Sequence, residues 1–173
     1  MELNGKNIVI LAADDYEDIE LLYLYYRMQE AGANVKIVGT ELCASTLRGK
    51  HGYTIAIDMR SNEVKTEMFN ALIIPGGWAP DRLSWCNATL NLVRKAFEEG
   101  KYIATISKGL WVLVPIGILQ GKTVTSDPAI RNNVRNAGAN WIDESVVSDG
   151  NLITARMSSE LPALCQEIIK SLT

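Results

Sequence analysis

Along this chain, short apolar runs alternate with longer stretches in which apolar positions recur at helical spacing. Residues 7–13, NIVILAA, are almost continuously apolar, as in a strand covered on both faces. The stretch DDYEDIELLYLYYRMQEAG (14–32) follows. Its acidic start suits a helix N-terminus, Ile19, Leu22, Tyr23 and Tyr26 fall on one helical stripe, and Gly32 stands where a C-terminal glycine belongs. NVKIVG (34–39) predicts the next strand and completes a βαβ unit. GYTIAID (52–58) alternates and predicts a more exposed strand, and NALIIPGGWAP (70–80) a buried strand entering a double-glycine turn. ATLNLVRKAFEEG (88–100) has the pattern of an amphipathic helix closed by glycine. A strand over 102–106 and a helix over 109–118 come next.

The last third changes character. Residues 121–155 read as short strands, one helix, and a hairpin turning at Asp149-Gly150, and SSELPALCQEIIKSLT (158–173) as a terminal helix capped by Ser158 or Ser159. Strands separated by helices imply an α/β fold with a mainly parallel sheet between helices. In such a sheet, sites form at the carboxyl ends of the strands. Three loops should therefore converge there: Ala13–Asp18, Gly76–Arg82 and Ser107–Gly109.

Composition narrows the class without naming a chemistry. The 173 residues suit one domain, 1–173, and the 47% hydrophobic and 21% charged residues are those of an ordinary globular chain. A net charge of −3 and the lack of any basic run speak against a nucleic-acid partner. No apolar stretch approaches the ~20 residues needed to span a bilayer, and the first strand starts too early for a signal peptide. A cytoplasmic location is expected. Cys43, Cys86 and Cys165 form neither a disulfide framework nor a metal pattern, so no metal or cofactor is expected.

Chemistry must come from the three loops. Ser107 stands between a strand and a helix start, with two readings: a nucleophile facing amides that would hold an oxyanion, or a helix cap. Thr105 replaces the leading glycine of a lipase-type elbow. Glu17 belongs to an acidic cluster that either solvates a helix start or turns one carboxyl inward beside Ser107. Gly76 and Gly77 after a buried strand let backbone amides approach a ligand, or simply make a tight turn. His51, the single histidine, reads as a solvated turn residue. Cys86 lies near a helix start that could lower its pKa, although buried structural thiols are commoner.

Together, DDYEDIEL, GKHGYTIAIDM, ALIIPGGWAPDRL, EEGKYIATISKG, GKTVTSDPAIRNNVRNAGANWID and VVSDGNLITAR resemble the PfpI/ThiJ family of intracellular proteases, glyoxalases and deglycases. The resemblance covers nearly the whole chain. It implies a flavodoxin-like, class I glutamine amidotransferase-like fold and homo-oligomers built from dimers, up to hexamers. It also implies a catalytic set at Ser107, Lys108, Glu17 and Asp81, with Gly76, Gly77 and Gly109 lining the substrate and oxyanion side.

The departures matter more. Where the family has Cys-His, this chain has Ser107-Lys108, then Gly109-Leu110, and Ser126-Asp127-Pro128 replaces the usual Ser-Tyr-Pro. The resemblance maps the acid beside the cysteine to Glu17, and an acid reaching across from a neighbouring subunit to Asp81. A helix N-terminus can ionise a thiol near neutral pH but not an alcohol. The expectation is a protein weak or inactive in the family's cysteine chemistry, with a small-molecule binding or assembly role. The alternative is a hydrolase using Ser107 with Glu17, Lys108 and a neighbour's Asp81. Trp78 and Trp85, flanking Asp81, point to self-association through that loop.

Overall fold

The first apolar run becomes β1 (Asn7–Leu11), buried from Ile8 onward, and NVKIVG becomes β2 (Asn34–Gly39) beside it, parallel and in register from Asn7 with Asn34. In the computed structural model, which describes residues 1–173, seven strands form one sheet. Its order is Val146–Asp149, Leu152–Ala155, Tyr102–Ile106, Ala71–Ile74, β1, β2 and Met59–Arg60. All neighbours are parallel except the first pair, the hairpin that turns at Gly150. The chain leaves β1 toward β2, then returns to add Ala71–Ile74 on the other side. The strand order therefore reverses between β1 and Ala71–Ile74, where α/β sheets open a crevice.

Five helices cover the sheet: α1 (Asp18–Glu30), α2 (Ala79–Ser84), α3 (Asn87–Glu98), α4 (Arg131–Asn136) and α5 (Leu161–Leu172). Their inward faces and both faces of the central strands make one continuous apolar core. None of the helices is long and apolar enough to cross a membrane.

Several elements depart from the sequence pattern for local reasons. Residues 109–118 do not form an α-helix. A 3-10 helix runs from Ser107 to Ile116 instead, with Pro115 inside it. Proline has no N–H to give to an α-helical bond and crowds the preceding turn. GYTIAID supplies only Thr54–Ala56, which pairs antiparallel with Thr46–Arg48 away from the main sheet. The stripe Ile19, Leu22, Tyr23 and Tyr26 faces outward: Ile19 is 57% exposed and Tyr26 60%. α1 buries Glu20, Leu21, Leu24 and Met28 instead. The helix is apolar on both sides, so its rhythm fits two faces, and the inward one carries a glutamate.

Candidate functional site

The three loops expected to converge do so, at the carboxyl ends of β1, Ala71–Ile74 and Tyr102–Ile106, which lie side by side. Directly after the last of these strands, as the first residue of the 3-10 helix, stands Ser107, at φ 57°. Holding a non-glycine residue in the left-handed region costs about 1–3 kcal/mol and persists only where the surroundings enforce it. Here the Ser107 carbonyl accepts a hydrogen bond from the Asp127 amide at 3.2 Å. The next turn is pinned by Gly109, where a side chain would collide with the Ile74 carbonyl. Gly109 thus serves close packing of the turn on the central strand.

The acid beside Ser107 is Glu20, not Glu17. Glu17 precedes the first turn of α1 in extended conformation, so its carboxylate turns out to Lys50 and His51, both at 3.1 Å, and makes no hydrogen bond to Ser107. Glu20 lies within the first turn and points inward. Its Oε2 accepts from the Gly76 amide at 2.7 Å and its Oε1 from the Ser158 hydroxyl at 2.8 Å. A Cβ placed on Gly76 would sit 2.8 Å from Glu20 Oε2, 3.1 Å from Ser107 Cβ and 3.2 Å from the Lys108 amide nitrogen. Only glycine lets these three groups crowd one point.

Burial pushes the Glu20 carboxyl up to about 7 from an ordinary value of 4.5, although the hydrogen bonds from Ser158 and Gly76 favour the charged form. The charges of Glu17 and Asp127 push in the same direction as burial. The carboxyl beside Ser107 therefore keeps its proton to a higher pH than an ordinary glutamate, and in that form it is a proton donor rather than a base.

The remaining expected residues take other positions. The Gly76 amide, expected to face an oxyanion, is committed to Glu20. Gly77 sits at φ 82°, and a side chain there would collide with the Glu17 amide and the Asp15 carbonyl, so it is a turn glycine that lets two loops close on each other. The Lys108 ammonium lies over the Trp78 ring, 4.1 Å from its centre, in a cation–π contact worth about 0.5–1 kcal/mol at an exposed site. Asp81, on α2, lines the same pocket as Lys108. That pocket, of about 400 Å³, has Trp78, Asp81, Lys108, Trp111, Ile130 and Asn133 in its walls. Its size and mixed lining suit a small ligand.

Ser158 was expected as a cap for the terminal helix. The 3-10 turn Ser158–Glu160 precedes α5, and the Ser158 hydroxyl goes to Glu20 instead, joining residues 138 positions apart. Its signal in sequence was nil, since a serine before a helix always reads as a cap. Glu20 had one: spacing of four with Leu24 and Met28 places it on their face. No group of three His, Cys, Asp or Glu side chains is placed to hold a metal ion.

An elbow residue at positive φ, a buried carboxyl facing it and a glycine turn from the adjacent strand thus meet at one end of the sheet, and comparison with known proteins shows the family. The DJ-1/PfpI family model matches residues 6–171. The chain belongs to the DJ-1/PfpI family. Deglycase PfpI of Pyrococcus furiosus is 41% identical over 165 residues, which are 95% of this chain and 98% of that protein. A deglycase of Pyrococcus horikoshii is 39% identical, with the same coverage. A ThiJ/PfpI domain protein from Brachyspira murdochii superposes with a TM-score of 0.90 at 25% identity, covering 98% of this chain and 96% of that one. A two-domain protein from Anabaena variabilis, with DJ-1/ThiJ/PfpI-like and ferritin-like domains, superposes with a TM-score of 0.94 at 34% identity. The match covers 97% of this chain and 48% of that protein. The flavodoxin-like fold that the resemblance implied is thus the family's fold.

Proposed function

We propose that this DJ-1/PfpI protein binds a small oxygen-bearing ligand at the Ser107 elbow and has little turnover in the cysteine-dependent chemistry of deglycase relatives. One observation carries this reading: the carboxyl crowded against Ser107 is that of Glu20, buried and hydrogen-bonded to Gly76 and Ser158, where burial favours its protonated form. A serine needs a base to become a nucleophile. Glu17 is occupied by Lys50 and His51, the Lys108 ammonium lies on Trp78, and His51 is exposed and turned to Glu17. A neutral Glu20 instead suits hydrogen-bond donation to a carbonyl or hydroxyl oxygen entering beside Ser107.

The test compares wild type, Ser107→Ala and Ser107→Cys on methylglyoxal and on a glycated amine. The reading expects near-background rates for the first two and a gain for Ser107→Cys. Loss of a substantial wild-type rate in Ser107→Ala would sink it.

One observation favours a hydrolase with Ser107 as nucleophile: the protein holds serine at φ 57°, where glycine would be relaxed, and such strain concentrates at working residues. Ionised Glu20 would be the base, so the rate would rise with pH through about 7. Covalent capture by a serine-directed phosphonate, abolished in Ser107→Ala, separates this from the binding reading.

Self-association through the pocket rim is part of the proposal. Trp78 is 56% exposed beside Asp81, an unusual amount of indole for a surface meeting only water. Light scattering that returns a monomer at micromolar concentration removes this element.

A further inference from the structure

Away from the elbow, at the other end of α2, Cys86 is the residue that precedes and caps α3. Its sulfur lies 3.7 Å from the hydroxyl of Ser61, a side chain only 2% exposed. The backbone amides of Glu41 and Thr89 and the Thr89 hydroxyl also face it. Thr89 is fully buried, and its hydroxyl lies near the sulfur without reaching hydrogen-bond geometry to any group in the protein. A buried, unpaired hydroxyl costs about 1–3 kcal/mol, and a neutral thiol is too weak an acceptor to relieve it. A thiolate or a sulfur-bound oxygen is a strong acceptor for all four groups. The site is built for an anion that the resting thiol does not supply.

The charged groups around it do not reverse this. A surface pocket of about 420 Å³ opens beside the sulfur, with Glu41, Leu42, Arg82 and Trp85 in its walls. Its one cation and one carboxylate leave the donors round the sulfur to decide the balance. Burial is the largest single influence and opposes ionisation, yet the amides of Glu41 and Thr89 and the hydroxyls of Thr89 and Ser61 together outweigh it and lower the thiol's pKa. The other cysteines differ. Cys165 is 1% exposed, and burial pushes its thiol up to about 12. Cys43 is half-buried and stands in the turn that follows β2.

We propose that Cys86 is a modification site of this protein, a thiol oxidised by hydroperoxides to a sulfenic acid independently of the Ser107 elbow. The thiolate sulfur attacks one peroxide oxygen, forming an S–O bond as the O–O bond breaks. Sulfur loses two electrons, the peroxide gains them, and the departing hydroxide or alkoxide takes a proton from water. The new oxygen stays within reach of the donors that faced the thiolate, so the sulfenate is held against further reaction.

The experiment treats the full chain with hydrogen peroxide, traps sulfenic acid with dimedone and locates the label by mass spectrometry. Cys86 should label first. Thr89→Val should slow that labelling about tenfold, the size expected from losing one hydrogen bond to a charged sulfur, and Thr89→Ser should restore it. Ser61→Ala, at the other hydroxyl, provides the same test should Thr89→Val fail to fold. Alkylation of Cys86 by iodoacetamide should show a pH midpoint below the usual thiol range. Labelling of Cys43 or Cys165 before Cys86, or an unchanged rate in both hydroxyl variants, overturns the proposal.

Discussion

Replacing Glu20 with glutamine should change how stability depends on pH while leaving the packing in place. In wild type the carboxyl is raised from 4.5 to about 7, chiefly by burial. The native state therefore holds a proton across this window that the unfolded chain has released, and stability falls as pH rises. Below about 4.5 both states are protonated and the group contributes no penalty. Above about 7 both are ionised and the full penalty is present. Each tenfold change in proton affinity is worth about 1.4 kcal/mol, so the loss between pH 4 and pH 8 comes to about 3 kcal/mol. Glutamine keeps the shape and is neutral throughout. Its carbonyl can accept from the Gly76 amide, and its NH2 can donate to the Ser158 hydroxyl, which turns to accept.

The assay is urea unfolding of both proteins at a series of pH values between 4 and 8. Contributions from all other groups cancel in the difference. Wild type should lose about 3 kcal/mol relative to Glu20→Gln as pH rises, most of it between 5 and 7. A difference that stays flat, or that grows in the opposite direction, would refute the assignment of a buried, proton-holding carboxyl beside Ser107.

Three further outcomes follow from the same geometry. Ser107→Gly should stabilise the chain by about 1 kcal/mol, seen as a higher urea midpoint, because the left-handed backbone at φ 57° no longer opposes a side chain. Gly109→Ala should destabilise it by at least about 1–3 kcal/mol in the same assay, since the new methyl meets the Ile74 carbonyl and the elbow must shift off the central strand. Ser158→Ala should raise the Glu20 pKa further, read by carbon-detected NMR of labelled glutamate, because the removed hydroxyl donates to the charged form.

The order of apolar and polar positions was enough to specify the architecture and which loops meet at the candidate site. Apolar runs at 7–13, 34–39, 70–74 and 102–106, separated by helical stretches, leave little alternative to a parallel sheet, because only helical crossovers return the chain for parallel pairing. The carboxyl ends of three of those strands do bring the three loops together. The presence of Ser107 and Lys108 at the elbow was equally legible, since residue identity is what a sequence states directly. Which carboxyl turns inward was only half legible: Glu20 shares a face with Leu24 and Met28, but a second apolar face competes with that one. Glu17 and Glu20 are three apart on the same helix start, and α1 is apolar on two sides, so its rotation was set by packing against the sheet and α5. That rotation buried Glu20, raised its pKa and brought it Ser158 from 138 residues away. Spacing along a chain encodes the period of an element; the environment that tunes a titratable group is made by elements distant in sequence, and only the assembled core decides it.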